Sequence, residues 1–128
     1  MKTNIRQAVV LAIMAASLAS AHHSAAPFDT SIEKALTGTV KQVDWTNPHT
    51  WIWVDVPNDK GGVDTWGIEG MSPNFLDRRG WTRNTIKAGE KVTFSVRPMR
   101  DGSKAGMFVS AKLPDGRLVR MSGQPIDP

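Results

Sequence analysis

The sequence contains no cysteine and no tyrosine. Without cysteine there is no disulfide, no thiolate nucleophile, no thiolate metal ligand and no residue to carry a lipoprotein-type lipid. Stability then rests on the packed core alone, even in an oxidising compartment. Without tyrosine there is no phenol to sit axially at a copper centre. Histidine is scarce as well, with only His22, His23 and His49. No Gly-x-Ser-x-Gly elbow, Gly-rich phosphate loop or His-Glu-x-x-His helix occurs, which removes the common hydrolase, nucleotidase and metalloprotease signatures. A role in binding rather than catalysis is the expectation. The longest apolar run, residues 8–19, falls short of the roughly 20 residues a membrane-spanning helix needs.

That run sits inside a recognisable pattern. Lys2 and Arg6 precede it, and Ala19-Ser20-Ala21 follows as an A-x-A cleavage site. The three parts read as a secretory signal peptide over residues 1–21, which predicts a periplasmic or secreted product cleaved near Ala21. The remainder divides into an extended arm at residues 22–34, a β-domain at 35–121 and a tail at 122–128. Its charge is unevenly spread: residues 22–77 hold 3 basic against 8 acidic side chains, and residues 78–128 hold 11 against 4. Such a split makes a dipolar surface that attracts an anionic partner to its second half if the halves stay apart in space, whereas in a barrel, the favoured reading, they interleave and pair off.

The clearest strand signal lies in Trp45-Thr46-Asn47-Pro48-His49-Thr50-Trp51-Ile52-Trp53-Val54-Asp55-Val56. From Thr50 onward the residues alternate, so Thr50, Ile52, Val54 and Val56 share one face. They are small and β-branched, as a barrel interior requires. His49, Trp51, Trp53 and Asp55 share the other face, and two indoles beside an imidazole are unusual on a merely solvated surface. Around this strand the pattern predicts others at residues 35–43, 63–68, 91–96, 107–113 and 118–120, with Gly38 marking a bulge or bend. Asn58-Asp59-Lys60-Gly61-Gly62 is a hairpin turn. One helix of about two turns is expected after Ser72, with Pro73 at its first position, Phe75 and Leu76 inward and Gly80 at its end. Three strands, a short helix and two or three more strands is the order of a small OB-type (Greek-key) β-barrel, an all-β fold with one short helix. A sandwich or a meander shares the short Gly-containing turns.

A resemblance rests on several of these pieces together. His22-His23-Ser24 after the leader, Gly38-Thr39-Val40, Trp45-Thr46-Asn47-Pro48-His49, Trp66, Ser72-Pro73-Asn74-Phe75-Leu76, Arg79-Gly80-Trp81 and Lys87-Ala88-Gly89-Glu90 resemble a family of small exported proteobacterial proteins of unknown function. The resemblance implies export and a small β-domain, and it brings no established activity.

Cleavage after Ala21 makes His22 the mature N-terminus. Its amine and ring nitrogen can chelate one metal ion, and an imidazole from His49 would complete a three-nitrogen site that suits Cu(II). The arrangement resembles the histidine brace of copper-binding exported proteins. Cleavage one or two residues earlier puts a histidine third instead, which gives a square-planar Cu(II) or Ni(II) site with His22 or His23. The candidate metal ligands are therefore His22, His23 and His49, with copper as the expected ion. Met71, Met99, Met107 and Met121 are soft donors too, but scattered methionines usually fill gaps in a core. The alternative is a ligand-binding aromatic face of Trp45, Trp51, Trp53 and Trp81 with Arg79 beside it, for an envelope ligand or a periplasmic protein partner rather than nucleic acid. Asp44, Asp55 and Glu69 sit near strand ends, where carboxylates are mostly solvated.

Overall fold

A computed structural model describes residues 26–121. The leader at residues 1–21, His22, His23 and the tail at 122–128 lie outside the described residues. The elements are β1 (Lys34–Asp44), β2 (Trp51–Pro57), β3 (Val63–Glu69), α1 (Pro73–Asp77), β4 (Lys91–Pro98), β5 (Ala105–Lys112) and β6 (Leu118–Arg120). Strands are hydrogen-bonded in the order β3-β2-β1-β4-β5-β6, and β3 also pairs with β5. That last pairing is parallel, Gly67 opposite Ala105 and Glu69 opposite Met107. It closes five strands into a barrel of OB type, with β6 added at the outer edge of β5. No helix among the described residues is long and apolar enough to cross a membrane.

The alternation in β2 works as the residue types dictate. Thr50, Ile52 and Val54 are buried, while Trp51, Trp53 and Asp55 on the other face are half-buried. Inward side chains of the other strands meet them. Leu36, Val40, Ile68, Val92, Phe94, Val96 and Val119 are all buried, each worth about 1.5–3 kcal/mol of transfer free energy if fully withdrawn from water. Trp81 and Phe94 each meet Phe108 edge-on, at centroid distances of 5.5 and 6.2 Å.

Two local expectations change. The bulge in β1 is not at Gly38 but between Val40 and Gln42, where the register to β2 shifts. Gly38 keeps regular pairing with Val92, and its missing side chain serves a close approach: a Cβ there would lie 2.4 Å from the Asp55 carbonyl oxygen. The helix is five residues, not two turns. Ser72 caps it by accepting from the Phe75 N–H and Pro73 opens it, but the Arg79 and Trp81 amides both turn back to the Leu76 carbonyl and end it early.

Thr50 is 2% exposed. Its amide donates to the Met71 carbonyl and its carbonyl accepts from Gly70, yet its Oγ1 is buried with no partner among the described residues. A desolvated, unpaired hydroxyl costs about 1–3 kcal/mol. Thr50→Val is therefore expected to stabilise the domain by about 1 kcal/mol in urea titration. A loss of stability instead would mean that the hydroxyl has a partner.

Candidate functional site

Strand register builds the site. Trp51 of β2 pairs with Glu69 of β3, and Glu69 pairs with Met107 of β5. Residues directly opposite in neighbouring strands point the same way, so an indole, a carboxylate and a thioether form one row on the outer face of the barrel. The turn before β2, with a cis Asn47-Pro48 peptide, brings His49 over this row. There the His49 Nδ1 is paired with a Glu69 carboxylate oxygen, and both side chains are only about a fifth exposed, 22% and 20%.

A cavity of 860 Å³ opens beside that pair. One wall is the segment from Glu69 to Ser72, with Phe75 of α1. Another is the β4–β5 turn, through Met99 and Ala105. The third is the N-terminal arm, whose Phe28 is only 6% exposed and forms a β-bridge with Met99. Arg100 ties the same arm down, its amide donating to the Pro27 carbonyl at 2.9 Å and its Nε to the Ala26 carbonyl at 3.1 Å. The walls are mostly apolar, with Asn47 and Ser72 as neutral polar side chains and His49 and Glu69 as the ionisable ones. OB-type barrels commonly bind ligands here, between the first–second and fourth–fifth strand connections. The volume also falls within the range of small-molecule sites.

All four methionines of the described chain line this cavity, and none belongs to the buried core. Met121 packs against that core; for Met71, Met99 and Met107 the expectation that they fill gaps in the interior is corrected. They occupy the shell outside the barrel because the inner face is already filled by branched aliphatic and aromatic side chains.

Farther along β2 the two indoles stack, with centroids 5.8 Å apart and planes 17° from parallel. Trp53 lies flat on β3 because residue 67 is glycine: an added Cβ would sit 2.8 Å from its ring. Its Nε1–H donates to Asp44 at 2.8 Å. Donation from Gln42 first, and from Trp53 second, holds the Asp44 carboxyl below the usual aspartate range.

The residues singled out by sequence do not gather in one place. His49 and Trp51 meet at the cavity, while His22 and His23 lie outside the described residues. Trp53 stays on the outer face, and Trp45 is half-buried against the core. Trp81 is not part of any aromatic face. It is 3% exposed and packs in the core, because the tight end of α1 folds it inward under Phe108. Arg79 sits over the Phe75 ring, 3.4 Å from its centroid. Glu69 and Phe28 were missed. The hairpin count held the signal for Glu69, since folding residues 51–69 about position 60 sets Glu69 opposite Trp51.

Among the described residues, no three of His, Cys, Asp and Glu converge as a metal site. Fold and site together define a small OB-type barrel with one apolar, methionine-lined cavity beside a His–Glu pair. The chain belongs to a family described as "Family of unknown function (DUF6152)", whose family model matches residues 10–109. Comparison with curated proteins and with solved structures gives no match.

Proposed function

We propose that this chain is an exported, non-catalytic binding protein that works in the periplasm and takes copper at the His49 cavity, with the mature N-terminal histidine as a further ligand. One observation carries the reading: Pro27 and His49 border the same cavity. His22 is five steps of chain from Pro27, a reach of at most about 18 Å when extended. A terminus cut near Ala21 is within that length of chain from the border of the cavity that His49 also lines. The pairing of His49 with Glu69 adds support. A carboxylate held against one ring nitrogen orients the imidazole at the cavity. His23 is the alternative ligand where the leader is cut earlier.

The test is a Cu(II) titration of protein exported and processed by the cell, its N-terminus confirmed by intact mass. Tryptophan fluorescence and EPR are read together. Nitrogen hyperfine structure and quenching of Trp51 are expected at one copper per chain. His49→Ala is expected to weaken binding at least tenfold, about 1.4 kcal/mol; unchanged affinity would remove His49 from the site.

A second reading draws on the stacked Trp51 and Trp53, which leave a half-exposed aromatic surface on β2. It is an envelope-ligand or protein-partner surface, with Arg79 set apart from it over the Phe75 ring. Loss of ligand pulldown in a folded Trp53→Ala variant would favour it.

A further inference from the structure

We infer that the His49 cavity is a site for a soft monovalent ion, Cu(I) or Ag(I), held by the thioethers of Met71, Met99, Met107 and Met121 together with the His49 imidazole. The inference rests on the copper reading for one donor only, His49, and is independent of where the leader is cut.

The four methionines come from four places in the chain: the β3–α1 connection, the β4–β5 turn, β5 and the residue after β6. No local periodicity brings them together. The closed barrel does, and most of them converge on one short segment. Met107 is the strand partner of Glu69, and Met71 follows Glu69 by two residues. The terminal methyl of Met121 packs against the backbone of the residue between them, since a Cβ on Gly70 would lie 2.9 Å from it. Glu69 holds His49 at the same point. Met99 faces this group from the β4–β5 turn, fixed by its bridge to Phe28.

The chemistry of this donor set is selective. A hard cation such as Mg²⁺ or Ca²⁺ requires several oxygen ligands, and the cavity offers one carboxylate, already paired. A structural zinc ion takes thiolates and several imidazoles, whereas the chain has no cysteine and the cavity has one histidine. Neutral thioethers with one imidazole suit Cu(I), the soft d10 ion. Apolar walls favour a singly charged ion over a doubly charged one, because the desolvation cost rises steeply with charge. Trp51 on the cavity wall adds attraction between cation and indole face.

Ag(I) is the probe, as silver nitrate in chloride-free buffer, because it copies Cu(I) without redox chemistry. The processed protein carries ¹³C-methyl methionine. Stoichiometric binding is expected, with the methyl signals of Met71, Met99, Met107 and Met121 shifting together. Replacing all four by leucine, which nearly conserves volume, is expected to lower Ag(I) affinity at least a hundredfold while Cu(II) binding at the nitrogen ligands persists. Methyl signals that ignore Ag(I) would overturn the inference even if the leucine variant failed to fold. So would equal Ag(I) affinity in the folded leucine variant. Ag(I) binding that depends on the methionines, in a protein that ignores Cu(II), would keep this inference and remove the terminal-amine site. A cavity that ignores Ag(I) and takes up an apolar dye would be an apolar-ligand pocket instead.

Discussion

Gly38→Ala is expected to cost about 3 kcal/mol, the upper end of what overpacking usually does. The added methyl would sit 2.4 Å from the Asp55 carbonyl oxygen, 3.0 Å from the carbon of the same group and 2.8 Å from a Val54 methyl. The nearest obstacles are backbone, and that backbone belongs to β2, which pairs with β1 on one side and β3 on the other. In an open sheet the edge strand could move away. In a closed barrel, displacement of β2 propagates through β3 to the parallel β3–β5 seam. For a domain of this size the loss corresponds to a fall in melting temperature on the order of 10–20 °C. Thermal unfolding followed by circular dichroism, with Thr37→Ala on the exposed face as control, measures it. A loss below about 1 kcal/mol would show that β1 and β2 can separate locally without strain.

That clash explains one limit of reading the sequence. A glycine inside an alternating strand reads equally well as a bulge or as a close contact. Only the close approach of β2 to β1 at this point decides between them, and that approach is a property of the strand pairing, not of residues 35–43 alone. Most of the fold lies on the other side of this limit. The alternation of Thr50, Ile52 and Val54 against Trp51 and Trp53, the Asn58–Gly62 turn and the Ser72-Pro73 cap are local signals, each with a local physical cause. Three strands, a helix and further strands then leave few ways to close a barrel, which is why the OB-type order was legible.

The site was legible only in part, for the same reason. His49 and Trp51 stand next to each other in sequence, so their face could be read directly. Glu69 needed the hairpin register. The methionines needed the β3–β5 pairing, a contact between strands separated by a helix and another strand. Nothing in a single methionine distinguishes a gap-filler in a core from a thioether at a cavity. What distinguishes them here is that the interior was already filled by Phe94, Phe108 and the branched aliphatics, leaving the unbranched side chains to the outer shell.

The two tryptophans that the sequence treated alike should part company on mutation. Trp81→Ala is expected to cost about 3–5 kcal/mol, as large-to-small changes of buried aromatics do. Trp81 is 3% exposed and its ring meets Phe108 edge-on. The cavity left behind would be walled by closed-barrel residues that cannot collapse into it. Against a total stability of about 5–15 kcal/mol for a domain, the variant is expected to unfold at much lower urea than the parent. Trp53→Ala removes a half-exposed indole, one stacking contact and its hydrogen bond to Asp44. Those together are worth about 1–2 kcal/mol, so the barrel should survive. The contrast also bears on the site, because Phe108 lines the His49 cavity and its ring meets Trp81 edge-on. Under conditions where Trp81→Ala remains folded, Phe108 loses its backing and Ag(I) affinity should fall, whereas Trp53→Ala should leave that affinity near the parent value. Urea midpoints and Ag(I) titrations on both variants decide it: equal stability losses would mean that Trp53 is held as part of the core, and an unchanged Ag(I) affinity in Trp81→Ala would mean that the cavity does not depend on the packing beneath it.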